Sequence, residues 1–226
     1  MQKLDSPRDI IPFQKPQDSI FSTLINRKLS RVISFVFLKY TSITPTQVNI
    51  LSFVISAAGC WLFLADQYSW RMVGVLLLQL GFTLDCCDGE IARFKNQANA
   101  FGAWLDSVLD RFKEAIMLTA LTAAWYLHHD ASLTVVLTGA AAIIMLQLVS
   151  YLREAKKSSW PRQRTAELFI SKRMYIGTVD VTIYLVCAAV LFQAELYGLW
   201  FFLLISLPML AKQFLSAYRL FKAGLR

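Results

Sequence analysis

Charge is scarce in this sequence. Asp, Glu, Lys and Arg make up 17% of its 226 residues, where a soluble domain carries about 25%. Hydrophobic residues reach 56%, which excludes a disordered chain and argues against a soluble globular domain. Acidic residues are the rarer charge, 15 against 23 Lys and Arg, for a net charge of +8. The excess alone would suit a nucleic-acid binder, but the basic residues stand between long apolar runs and form no polar module, so no nucleic-acid partner is expected. Of the four cysteines, Cys86 and Cys87 are adjacent, and Cys60 and Cys187 are isolated in apolar runs. Nothing matches a zinc spacing, and all four read as small apolar packing residues. His128 and His129 have no other ligand type near them and read as a surface loop. No cleavable signal peptide is expected, because the first 40 residues are polar or amphipathic.

What is present are apolar stretches of the roughly 20 residues that a membrane-spanning helix needs. Six are expected: Pro45 to Ala65, Trp70 to about Cys87, about Ala103 to Leu127, Ser132 to Leu152, Met174 to Gln193, and Leu196 to Tyr218. Thr44 can cap the first, with Pro45 at the first helical position, where its missing N–H costs nothing. Of the 23 Lys and Arg, only Arg71 falls in the three connections on one side. The positive-inside rule therefore puts both termini and the other two connections in the cytoplasm of a cell inner or plasma membrane. That placement also disfavours a disulfide at Cys86 and Cys87. Between residues 19 and 38, Phe21, Leu24, Ile25, Leu29, Val32, Ile33 and Val36 recur at helical spacing, opposite Ser22, Asn26, Arg27, Ser30 and Arg31. This suits a helix in the membrane interface or one packed on the inner end of the bundle. The expected architecture is an all-α integral membrane protein, with a cytoplasmic segment at 1–40 and a six-helix transmembrane domain at 41–226.

The few acidic residues are placed with more order than the many basic ones. Asp85 and Asp88 are three apart and Asp106 and Asp110 four apart, so each pair shares a helix face. The two helices are consecutive and joined by a short turn, which makes them antiparallel neighbours and brings four carboxylates to one depth. Such a cluster near hydrocarbon needs a compensating cation, and hard divalent ions with oxygen ligands, Mg²⁺ or Mn²⁺, fit best; the alternative is a set of solvated helix ends balanced by Arg93, Arg111 and Lys113. Gly89 and Gly102 allow close backbone approach, Ala92 keeps the same face slim, and Arg93 suits phosphate oxygens. Together these describe a site for a nucleotide diphosphate and displacement at phosphorus with two metal ions.

The pattern D-x2-D-G-x2-A-R-x8-G-x3-D-x3-D is met at every fixed position by Asp85, Asp88, Gly89, Ala92, Arg93, Gly102, Asp106 and Asp110. It resembles the CDP-alcohol phosphotransferase family, whose members move a phospho-alcohol from a CDP-linked donor to an alcohol hydroxyl and release CMP. The resemblance implies that Asp85, Asp88 and Asp106 hold metal, and that Asp110 is the general base and also a ligand. It places Asp88, Gly89, Ala92, Arg93 and Gly102 at the nucleotide. Where many relatives have Pro-Asn-x-x-Thr this chain has Pro45-Thr46-Gln47-Val48-Asn49, so Thr46 and Asn49 are further nucleotide candidates, with plain helix capping as the alternative. Asn99 stands where relatives often carry Ser or Thr and joins the same candidate set. Arg153, Arg173 and Asp180 are acceptor-site candidates, the alternative for the arginines being anchorage at anionic headgroups. The resemblance also implies a homodimer.

Two branches remain open for the substrates: a CDP-diacylglycerol-dependent phospholipid synthase, and an enzyme of the CDP-inositol type. The run Lys15-Pro16-Gln17-Asp18, with Asn26-Arg27 and Ser30-Arg31, resembles the branch that makes di-inositol phosphate compounds. The acceptor is accordingly a polar alcohol or a lipid. A divalent-cation transporter is the alternative from another class. Transporter sites sit near the bilayer midplane between broken helices, whereas these carboxylates gather toward one end.

Overall fold

The computed structural model describes residues 4–160, 168–169, 174–176 and 178–223. A short 3-10 helix at Pro7–Phe13, strand β1 at Asp18–Ser19 and a π-helical turn at Ser22–Asn26 lead into α1, Arg27–Tyr40. Then follow α2 (Pro45–Leu62), α3 (Tyr68–Phe94), α4 (Ala100–His128) and α5 (Leu133–Ser159). Strands β2 (Leu168–Phe169) and β3 (Met174–Ile176) precede α6 (Thr178–Leu191) and α7 (Glu195–Lys222).

Among the described residues, four helices are long and apolar enough to cross a membrane: α2, α3, Leu133–Lys156 of α5, and α7. Two of the six expected spans are not among them, for different reasons. Helix α4 has the length, at 29 residues, but its first half carries Asp106, Asp110, Arg111, Lys113 and Glu114. Helix α6 is apolar but has only 14 residues. Its expected start is corrected as well. Met174–Ile176 is a strand, parallel to β1 and antiparallel to β2, and the helix begins at Thr178. This small sheet is the exception to an all-α fold.

The expected start of α2 is borne out. The Thr44 hydroxyl accepts from Gln47 N at 3.3 Å, and the Gln47 side chain accepts from Thr44 N at 2.8 Å, a reciprocal cap that satisfies two N–H groups the helix leaves open. Helices α2 and α3 then meet along a seam of small residues. A Cβ on Gly59 would stand 2.7 Å from the Gly74 carbonyl oxygen and 2.8 Å from Leu78 N. Both are backbone atoms, so a side chain there must push the helices apart. Gly59→Val is expected to cost about 1–3 kcal/mol by overpacking, read as a lower thermal unfolding midpoint in detergent. An unchanged midpoint would show the seam to be looser than this.

The core beside that seam joins Phe63, Leu78 and Phe82 to Met117, Leu118 and Leu121 of α4, Val186 of α6, and Leu199 and Phe202 of α7. All four cysteines are free and buried, as expected of packing residues. Helix α1 turns its polar side inward: Arg27, Ser30 and Ser34 are buried, while Leu24, Ile25, Leu29, Val32 and Val36 are exposed. The segment thus packs on the bundle, one of the two readings of residues 19–38, and presents an apolar face on its other side.

At the end of the bundle away from the α3–α4 turn lies a second polar cluster. Arg71 and Glu195 are buried there. Among the described residues, Arg71 Nε and Nη1, Trp125 Nε1, His128 Nε2 and both Glu195 carboxylate oxygens have no partner. His128 is the last residue of α4 and not part of a surface loop. The α4 periodicity runs on into this polar residue, which conceals the helix end in the sequence.

Candidate active site

Helix α3 ends in a tight reversal. Asn96 takes the left-handed conformation at φ 53°, which Asn tolerates better than most residues, and Gln97 N donates to Ala92 O at 2.8 Å. Asn99 opens α4 by accepting from Gly102 N at 2.8 Å. The short turn sets the α3 aspartates against those of α4. Asp85, Asp106 and Asp110 each offer a carboxylate oxygen, and the three atoms lie within 4.8 Å of one another. Asp88 lines the same cavity.

Polar groups from two other places attend this cluster. From α2, Asn49 Nδ2 donates to Asp106 at 3.2 Å and Ser52 Oγ to Asp85 at 3.5 Å. From one turn further along α4, the buried Lys113 pairs with Asp85 and, at 2.9 Å, with Asp110. Like charges gathered this closely repel, so the ammonium steadies the inner edge of the cluster. A hard divalent cation fits the outer edge. The donors are all oxygen, and Asn49 Oδ1 is buried beside them without a partner among the described residues.

A cavity of about 850 Å³ opens from the carboxylates, within the size range of small-molecule sites. Gly89, Ala92, Arg93, Gly102, Thr46, Asn49 and Asn99 line it, as does Arg153 from α5. Gly89 makes room for Arg93, because a Cβ there would stand 3.2 Å from Arg93 Nη1. Arg93 donates from Nε to Phe13 O, and its Nη2 is buried without a partner among the described residues. Asn99 both caps α4 and faces the cavity, so capping and nucleotide contact are compatible there. Arg173 lies outside the described residues, as does the side chain of Asp180. The Asp180 backbone is in the first turn of α6, which begins at Thr178 and not at Met174.

One residue within the motif stretch was missed. Glu90 is fully buried. Its Oε1 accepts from Ser30 Oγ at 2.6 Å, Arg27 Nη1 at 3.0 Å and Gln14 Nε2 at 3.0 Å, and its Oε2 accepts from Ser34 Oγ at 2.6 Å. Arg27 completes the hub, reaching Asp18 through Nε at 2.7 Å and Nη2 at 2.6 Å, and Cys86 O through Nη1 at 3.1 Å. Burial acts to lower the Arg27 pKa, but Cys86, Asp18 and Glu90 outweigh it and hold the guanidinium above its ordinary range. The available signal was Ser30 and Ser34 at i, i+4 beside Arg27, a stripe with the chemistry of a carboxylate cradle. Ser52, three residues after Asn49 on α2, was legible in the same way.

The chain matches the family model described as CDP-alcohol phosphatidyltransferase over residues 42–211. It is similar to the bifunctional IPC transferase and DIPP synthase of Aquifex aeolicus, with 32% identity over 75% of this chain and 37% of that protein. It thus spans little more than a third of that relative's length. It is also similar to the archaetidylinositol phosphate synthase of Pyrococcus horikoshii, with 26% identity over 73% of this chain and 78% of that one. In fold it resembles the phosphatidylinositol phosphate synthase of Mycobacterium tuberculosis solved with CDP-DAG bound. The TM-score is 0.66 at 20% identity, covering 84% of this chain and 94% of that chain. A second structure of that enzyme, in complex with manganese and citrate, matches with the same TM-score and identity over 84% of this chain and 88% of that one.

Proposed function

The chain belongs to the CDP-alcohol phosphatidyltransferase family, and from that premise we propose that it transfers a phospho-alcohol group from a CDP-linked donor to an alcohol hydroxyl, releasing CMP. The observation that carries this reading is the carboxylate triad of Asp85, Asp106 and Asp110 on the wall of the cavity. In this reading Asp85, Asp88, Asp106 and Asp110 hold two Mg²⁺ or Mn²⁺ ions. Bound there, the metal supplies Lewis-acid neutralisation of the diphosphate. Asp110 takes the proton of the acceptor hydroxyl. The acceptor oxygen bonds to the alcohol-bearing phosphorus while the diphosphate bridge breaks and CMP departs. Arg93 holds a phosphate oxygen, and Gly89, Ala92, Gly102, Thr46, Asn49 and Asn99 border the nucleotide. Lys113 and Ser52 fix Asp85, and Asn49 fixes Asp106. Arg153, Arg173 and Asp180 attend the acceptor.

The same reading has six spans, with α4 and α6 completing the four apolar helices, and residues 1–40 as a cytoplasmic segment before a catalytic domain at 41–226. Both termini and the site face the cytoplasm, and the chain pairs as a homodimer in a cell membrane. Two relatives name an inositol phosphate lipid in their products, and the run from Lys15 to Asp18 resembles the di-inositol branch. Inositol phosphate is therefore the alcohol to try first.

Purified protein with Mg²⁺, offered CDP-inositol or CDP-diacylglycerol together with inositol phosphate, is expected to release CMP. Chelation should abolish the release, and added Mg²⁺ or Mn²⁺ should restore it. No CMP from any CDP-alcohol, together with Mn²⁺ uptake by proteoliposomes, would replace this reading with a transporter.

A further inference from the structure

The segment before β1 passes over the cavity and is pinned on both sides of one lysine. On the near side, Phe13 O accepts from Arg93 Nε, and the Phe13 ring packs edge-on against Phe94 at 5.1 Å. Gln14 Nε2 donates to Arg27 O at 2.8 Å and to Glu90 at 3.0 Å. On the far side, Asp18 is buried, paired with Arg27 and in register with Met174 of β3. Between these anchors stand Lys15, Pro16 and Gln17, with Pro16 restricting the backbone further. Lys15 lines the cavity, its charge is felt at Asp106 across the site, and it makes no hydrogen bond or ion pair with any described residue.

The other cations on the wall differ. Arg27 is saturated by Asp18, Glu90 and the Cys86 carbonyl. Arg93 is tied to Phe13 O through Nε and keeps Nη2 without a partner among the described residues, and Arg153 stands 3.9 Å from Glu154. An ammonium held over a cavity by anchored backbone, with its own donors unspent, is pre-organised for an anion. On the transferase reading above, we infer that Lys15 is a specificity-determining contact to a phosphate group of the substrate, and that the Glu90–Arg27–Asp18 hub positions the strap that carries it. The phosphate belongs either to the phosphorylated acceptor or to the CDP-linked donor, and the two are separable by experiment.

Lys15 is exposed, so Lys15→Gln should fold. Titration calorimetry would compare wild type, K15Q and K15R with inositol phosphate, with inositol and with CDP-inositol, alongside CMP-release kinetics. A charge-assisted bond of about 1.5–3 kcal/mol corresponds to an affinity loss of roughly tenfold or more in K15Q. The expected result is that loss for one phosphorylated ligand, partial recovery in K15R, no change for inositol, and a matching rise in KM at near-constant kcat. A loss confined to inositol phosphate assigns the acceptor phosphate; one confined to CDP-inositol assigns the donor diphosphate. Equal binding by K15Q and wild type, or no binding of either phosphorylated ligand by wild type, would overturn the assignment. Wild-type binding that weakens in K15Q without CMP release from any donor would keep Lys15 as a phosphate contact and sink the transferase reading instead.

Discussion

Asp110→Asn is expected to lower CMP release by about 10²- to 10⁴-fold, the range for loss of a positioned general base. Asparagine keeps the shape of the side chain and one oxygen toward the cavity, but it accepts no proton. The surroundings favour a clean result. Asp110 is held by Lys113 at 2.9 Å, and Lys113 keeps its second carboxylate, Asp85, when Asp110 is neutralised. No charge is thereby left buried alone, so the fold survives and the lost activity reports on chemistry. Binding of the CDP-linked donor, measured by calorimetry, should change by far less than turnover. Mn²⁺ binding, followed by electron paramagnetic resonance, tests whether the same carboxylate is also a ligand. Near-normal turnover in D110N would remove Asp110 from the role of base.

The second large effect is on stability. Glu90→Leu is expected to destabilise the chain by about 3–5 kcal/mol, as when one partner of a buried ion pair is removed. Among the described residues, the leucine leaves Arg27 with Asp18 as its remaining carboxylate, and it orphans the Ser30 and Ser34 hydroxyls. It also removes one of the two side-chain bonds that hold Gln14. In detergent this should appear as a lower thermal unfolding midpoint and reduced recovery of monodisperse protein. Glu90→Gln should fall between wild type and E90L, because an amide oxygen still accepts from Ser30 or Arg27. A wild-type midpoint in E90L would mean that the hub contributes nothing to holding α1 against α3. That result would also deprive the strap over the cavity of its anchor.

Much of this arrangement is written locally. The start of α2 follows from Thr44, Pro45 and Gln47, which meet within one turn. The carboxylate cluster follows from spacings of three and four on helices joined by a five-residue turn, whose geometry leaves little choice. Glu90 was harder to read because its partners come from three separate stretches, at Gln14, Arg27 and Ser30–Ser34. No local period links them. The orientation of α1 also inverts the habit of soluble proteins, since its polar stripe faces protein and its apolar stripe is exposed. At a membrane surface that is the favourable arrangement. The strand at Met174–Ile176 exists only through β1 and β2, so an apolar run read alone was assigned to helix. Lys113 is one of three cations that stand near the aspartates in the sequence, and the fold shows it reaching across to Asp85.

The glycine seam between α2 and α3 has an evolutionary consequence. It joins Asn49, Ser52, Asp85 and Asp88 into one unit, and α4 brings Asp106 and Asp110 against it across the short turn. On the transferase reading, chemistry at phosphorus therefore resides in three consecutive helices. The strap at Lys15 and the end of α5, through Arg153 and Glu154, border the same cavity from outside that unit. On the same reading, descendants of such a chain can exchange one alcohol for another by altering those borders, while Asp85, Asp88, Asp106 and Asp110 stay where they are.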